Sequence, residues 1–161
     1  ACACAAASAS ASAARRASAA APSAPVGVVV VDHGSRRAAS NAQLESFCAT
    51  YSAVTGRELV EPAHMELAEP SVTTAVGRLV ARGASEVLVA PYFLSCGRHW
   101  AQDLPALAAE AGEAHGVRCV VTAPLGGHPA LAEVLEARAR RCVEFLEGRE
   151  GPCELCEGTG T

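Results

Sequence analysis

Two histidines stand just beyond short apolar runs. His33 follows Val28-Val29-Val30-Val31-Asp32 and precedes Gly34-Ser35, and His99 closes the stretch that starts at Val87-Leu88-Val89-Ala90-Pro91. Apolar runs bounded by turn residues read as buried strands of a parallel sheet. In open α/β sheets, ligands sit at the carboxyl ends of strands, beside the point where strand order reverses. Two imidazoles delivered there by different strands have the chemistry to hold one borderline divalent ion such as ferrous iron, cobalt or nickel. Taken singly, each has a plainer reading: His33 as a turn histidine bonded to backbone, His99 as a helix-start residue.

The residues around them extend the same choice. Asp103, one turn after His99, either orients the His99 ring or complements a helix N-terminus. Glu66, in His64-Met65-Glu66-Leu67-Ala68-Glu69-Pro70, can complete a two-histidine, one-carboxylate set or act as a base, whereas Glu69 fits a helix start. Strand alternation turns His64 away from the face of Met65, toward a packed or an exposed role. Ser35 can cap the following helix. Arg36, Arg37 and Arg98 lie in the two loops and either clamp substrate carboxylates bidentately or remain solvated. Gly126-Gly127 either lets backbone approach a flat ligand or simply turns the chain. His115 and His128 read as helix-end residues.

Eight cysteines are present, and most fall singly inside expected elements, where Cys behaves as a small hydrophobe. Cys153 and Cys156 alone have ligand-like spacing, in a CxxCxGxG segment. Two thiolates do not close a tetrahedral site. The rest would come from a second subunit or from Cys119 and Cys142, whose expected positions are internal. The alternative is a flexible tail with two thiols. One such unit, resembling the zinc-binding repeats of Hsp40-type co-chaperones, is too few for a co-chaperone.

The elements that must position these groups occupy one domain of the 161-residue chain, half of it apolar. All 13 basic residues are Arg, and the net charge of −4 argues against nucleic-acid binding. No apolar run approaches the ~20 residues of a membrane span. Residues 1–25 are nearly all Ala and Ser with Arg15 and Arg16 and no acid, the pattern of an organellar transit peptide or a low-complexity linker. The domain is expected over 26–147 and a flexible CxxC tail over 148–161.

From Val26 the pattern alternates. Val26 to Val31 predicts a strand, 38–54 a helix stopped by Gly56, and Glu58 to Glu66 an edge strand containing Pro62. A helix opening at Pro70-Ser71 and stopping at Gly83 follows, then a strand over Glu86 to Ala90 and a helix over 100–114. Val117 to Thr122 is a fourth strand, and His128 to Glu147 a long helix with Leu131, Val134, Leu135, Ala139, Cys142, Val143 and Leu146 on one stripe. This order implies an α/β, flavodoxin-like, doubly wound and mostly parallel four-stranded sheet with helices on both faces. In the order two, one, three, four, strands one and three are neighbours, so His33 and His99 flank one crevice and Glu66 lies beside it.

His33-Gly34-Ser35-Arg36, Glu66-Leu67-Ala68-Glu69-Pro70-Ser71, Gly83-Ala84, Val89-Ala90-Pro91-Tyr92-Phe93-Leu94, Gly97-Arg98-His99, Asp103-Leu104-Pro105 and Pro124-Leu125-Gly126 recur in order. Over residues 26–147 they resemble the class II tetrapyrrole chelatases, in particular the short sirohydrochlorin cobalt- and ferrochelatases. The leader and CxxC tail look like those of the plastid members from plants and algae. The resemblance implies a lyase that inserts ferrous iron into sirohydrochlorin in the last step of sirohaem synthesis, in the chloroplast stroma. His33 and His99 would bind the substrate iron and serve the chemistry, with Glu66 as a further catalytic residue. Ser35, Arg36, Arg98 and Gly126 would contact substrate. It also implies a homodimer and an iron–sulfur cluster at Cys153 and Cys156, expected as [2Fe-2S] and shared across the dimer. A cobalt chelatase and a non-catalytic metal or tetrapyrrole carrier are the alternatives. A phosphate binder on this fold is disfavoured, because His33-Gly34-Ser35-Arg36-Arg37 makes a poor phosphate loop.

Overall fold

A computed structural model describes residues 24–153; almost all of the transit-peptide-like leader, and Cys156, lie outside them. The elements run β1 (Val26–Asp32), α1 (Ala38–Thr55), β2 (Val60–His64), α2 (Val72–Ala81), β3 (Glu86–Pro91), a π-helical turn (His99–Asp103), α3 (Leu104–His115), β4 (Arg118–Val121) and α4 (Ala130–Leu146). All three strand pairings are parallel and the sheet order is β2-β1-β3-β4. The chain divides into two compact units, 1–125 with the sheet and 126–161 with α4.

The valine run of β1 explains why the sheet is covered on both sides. Successive strand side chains point to opposite faces. Val28 and Val30 therefore pack with Leu44 and Cys48 of α1, while Val29 and Val31 join Val72, Val76 and Leu79 of α2 and Leu104 and Ala108 of α3. Such a strand is apolar throughout because neither face meets water. Ser71 caps α2, its hydroxyl accepting from the Thr74 N–H at 3.2 Å. Pro62 sits in β2, which is an edge strand as its sequence predicts.

The apolar stripe of α4 lies at the surface: no residue of that helix is buried, and Leu135 is 71% exposed. Helical spacing establishes an apolar face but does not say whether a neighbour covers it. For the same reason Cys142 is exposed rather than internal, while Cys119 on β4 is half-buried. No helix among the described residues is long and apolar enough to cross a membrane.

Candidate functional site

The site forms where β1, β2 and β3 end. At the end of β1, the Gly34 N–H donates to Asp32 Oδ1 at 2.8 Å. Gly34 has φ +81°, and a Cβ there would lie 2.0 Å from the Glu66 carbonyl oxygen, so only glycine permits this turn. The close approach exists because the chain leaving β2 is laced to the chain leaving β1. Met65 N–H donates to Asp32 O at 2.9 Å and Glu66 N–H to His33 O at 3.3 Å.

His33 is carried by this turn to the loop after β3. Its ring stacks on Phe93, with centroids 4.4 Å apart, and meets the edge of His99 at 5.0 Å. Phe93 is buried and supplies a fixed apolar floor. Metal–imidazole bonds run about 2.0–2.1 Å, so one ion between two rings needs nitrogens roughly 3–4 Å apart, which this separation allows.

His99 opens the π-helical turn. Its Nδ1 lies 2.9 Å from Asp103 Oδ2. With Nδ1–H donating to that carboxylate, the Nε2 lone pair is left for an ion. Trp100 pins the same turn to the end of β4, its indole N–H donating to Thr122 O at 3.0 Å. Between the two histidines lies a cavity of about 210 Å³ lined by His33, Tyr92, Phe93, Leu94, His99 and Trp100 among others.

The remaining sequence candidates fall unevenly around this crevice. Glu66 is exposed at the end of β2, tied to His33 through backbone. Arg36 is exposed in the loop after β1, and the Arg98 side chain is 76% exposed with Nε 3.9 Å from Asp103 Oδ2. Ser35 does not cap α1. The N-cap position is Arg37, whose N–H donates to Ser35 Oγ at 3.1 Å, while Ser35 N–H is held by Asn41 Oδ1 at 3.0 Å. Gly126 belongs to the second unit. His115 at the end of α3 bonds Thr73 O of α2 at 3.0 Å, a contact between helices, and His128 Nδ1 accepts from Ala130 N–H at 3.2 Å at the start of α4. Cys153 is half-buried, and its partner Cys156 lies outside the described residues. Among the described residues no group of three or more His, Cys, Asp or Glu is placed to hold a metal.

Sequence reasoning missed three supports. The Phe93 floor and the Trp100 anchor carry no local signature. The third is His64, 1% exposed, with Nδ1 2.5 Å from Asp32 Oδ1. Alternation left its role open between packed and exposed, but the pairing with Asp32 depends on the β1–β2 register.

The sequence model of the CbiX family matches residues 27–142, which takes in all of the sheet but its first residue and both histidine loops. The chain belongs to the CbiX family. This CbiX chain is 47% identical over 134 residues to the chloroplastic sirohydrochlorin ferrochelatase of Arabidopsis thaliana, covering 83% of the chain and 60% of that relative. It therefore spans about 60% of that relative's length. It is 28% identical over 119 residues to the sirohydrochlorin cobaltochelatase of Sulfurisphaera tokodaii, covering 73% of the chain and 93% of that protein. Its fold is similar to a solved CbiX protein from Marinobacter aquaeolei VT8, with TM-score 0.66, 32% identity, and coverage of 74% of this chain and 98% of that one.

Proposed function

We propose that this CbiX protein inserts ferrous iron into sirohydrochlorin, yielding sirohaem. One observation carries the reading: two histidines from different strand ends meet ring to ring, 5.0 Å apart, in a cavity at the carboxyl edge of a parallel sheet. The similarity to a plant ferrochelatase favours iron. The cobaltochelatase of Sulfurisphaera tokodaii, nearly all of which this chain covers, keeps cobalt as the second reading.

In this mechanism the substrate iron is held by the two imidazoles at the mouth of the crevice. Ligation by two neutral nitrogens is weak enough to be surrendered to four macrocycle nitrogens. As iron enters, two pyrrole N–H protons leave, and the histidines, released from the metal, accept them in turn. Asp103 stabilises charge on His99 as it takes a proton. Glu66, at the rim beside His33, is a further acceptor. Exposed Arg36 and Arg98 meet the carboxylates of the tetrapyrrole, with Ser35 next to Arg36. The apolar rim of Tyr92 and Leu94, 41% and 73% exposed, suits the face of a macrocycle.

The protein acts in a plastid stroma, as the acid-free leader and the chloroplastic relative suggest. It works as a homodimer, a reading that the apolar face of α4 supports. The CxxC thiols fit two positions of a four-thiolate [2Fe-2S] cluster. A second copy of the chain would supply the matching pair.

The test is anaerobic ferrous insertion into sirohydrochlorin, followed by absorbance. The parent forms sirohaem, while His33→Ala and His99→Ala lose activity. A folded parent that inserts neither iron nor cobalt would leave a carrier in place of an enzyme.

A further inference from the structure

We infer that His64 is a positioning residue, and that with Asp32 it forms a buried latch that aims His33 into the crevice. The inference rests on the proposed role of His33 and adds what holds that side chain in place.

His64 is the last residue of β2 and lies in register with Asp32, the last of β1. Its side chain is fully buried while that of Asp32 is 26% exposed, and Nδ1 lies 2.5 Å from Asp32 Oδ1. The same carboxylate oxygen accepts the Gly34 N–H at 2.8 Å. One oxygen therefore joins the end of β2 to the backbone on the far side of His33. The His64 Cβ also lies 3.0 Å from where a Gly34 Cβ would stand, so the ring's own stem packs beneath the turn.

The second observation is a cost. His64 Nε2 is buried and makes no hydrogen bond to the protein. A buried polar atom without a partner is unfavourable, and an apolar side chain of similar size would avoid it. Among the described residues, histidine at this position is nevertheless the one polar side chain buried with the apolar core. What histidine supplies there and Leu does not is the Nδ1 donor to Asp32. Deprived of that donor, the Asp32 carboxylate is free to turn toward water, releasing Gly34 N–H and the His33 backbone with it. Errors of about 1 Å in a reacting group cost roughly 100-fold in rate.

The donor's position distinguishes the latch from mere packing. An asparagine amide places its N–H near the site of Nδ1; a glutamine amide reaches further, toward that of Nε2. Full-length His64→Asn, His64→Gln and His64→Leu are compared with the parent and with His33→Ala. The readouts are iron dependence of insertion, titration with cobalt(II) alone followed by its visible absorption, and urea unfolding. His64→Gln and His64→Leu should lose about 10- to 100-fold in cobalt affinity and in kcat/KM for iron, as changes behind a ligand do. His64→Asn should stay within about threefold of the parent on this basis. Asp32→Ala, which breaks the latch from its half-exposed side, should match His64→Gln, and the two together should cost no more than either.

Parental cobalt binding in folded His64→Gln or His64→Leu overturns the latch. So does a His64→Asn protein that is as impaired as His64→Leu. Should the His64 variants not fold, Asp32→Ala decides alone: parental affinity refutes the latch. If His33→Ala itself binds cobalt and inserts iron like the parent, the reading of the site has failed rather than the latch.

Discussion

At the scale of single residues, the site depends on atoms that have no room to move. Gly34 is the clearest case, since a methyl group there would fall 2.0 Å from Glu66 O at a φ of +81°. Gly34→Ala must push the β1 and β2 ends apart or leave the left-handed region. We expect a loss of roughly 2–4 kcal/mol in urea unfolding and a collapse of insertion activity. Retention of parental activity would mean that the turn is not needed to aim His33. A second residue is readable through pH. Burial pushes the Cys48 thiol up to about 11, helped by the negative charges of Glu61, Asp32 and Glu45. Unfolded, the thiol ionises from about pH 9; folded, it keeps its proton to about 11. Across that window the unfolded state binds fewer protons, so stability falls as pH rises, by up to about 2–3 kcal/mol. Cys119, also raised by burial, adds in the same direction. The check is therefore a difference: between pH 8.5 and 10.5 the parent should lose more stability than Cys48→Ala does. An equal loss in both would remove Cys48 as the source.

At the scale of elements, what matters is how the loop after β3 becomes a rigid carrier for His99. The π-helical turn is short and locally irregular, a form that recurs at functional sites, and it is fixed at two points. Asp103 holds the His99 ring and Trp100 holds the turn to β4. Asp103→Ala should lower cobalt(II) affinity about 10- to 100-fold with little change in unfolding. Trp100→Phe, which keeps the ring and loses the N–H, should cost about 1 kcal/mol of stability. Unchanged metal binding in Asp103→Ala would mean that the ring is aimed by packing alone. These elements also show where sequence is informative. The β1 and β3 runs and the capped α2 were legible because short apolar runs between turn residues, period 3.6 and a Ser N-cap are local signals. Their order gave the neighbouring strands, hence the meeting of His33 and His99. The π-helical turn was not legible, because widening one turn leaves the apolar spacing of the following helix unchanged. The Asp32–His64 pair was hidden because register is a property of two strands together. Whether the α4 stripe is covered was not legible, because an amphipathic helix looks the same with its apolar face covered or bare.

At the scale of the whole molecule, the energetics turn on the exposed apolar side chains of α4. Helix α4 exposes Val134, Leu135, Val143, Phe145 and Leu146, with Leu146 80% exposed. Several exposed apolar side chains on one helix favour an interaction there. The CxxC pair lies shortly beyond the same helix, with Cys153 seven residues after Leu146. If two copies meet along their α4 faces, two pairs of thiolates are brought toward one axis, and a single [2Fe-2S] cluster takes all four. Dimerisation and cluster binding then become one event. The full chain, prepared without oxygen, should run as a dimer in light scattering and carry one visible chromophore per two chains. Leu135→Glu with Leu146→Glu places charge on the apolar face without touching a cysteine, and should yield monomers that have also lost the chromophore. Cys153→Ser with Cys156→Ser should lose the chromophore. A monomeric parent, or charged variants that keep the chromophore as monomers, would show that the cluster does not bridge two copies through α4. The sheet unit holds His33 and His99 within itself. Cobalt(II) binding at that site should therefore survive in the monomer.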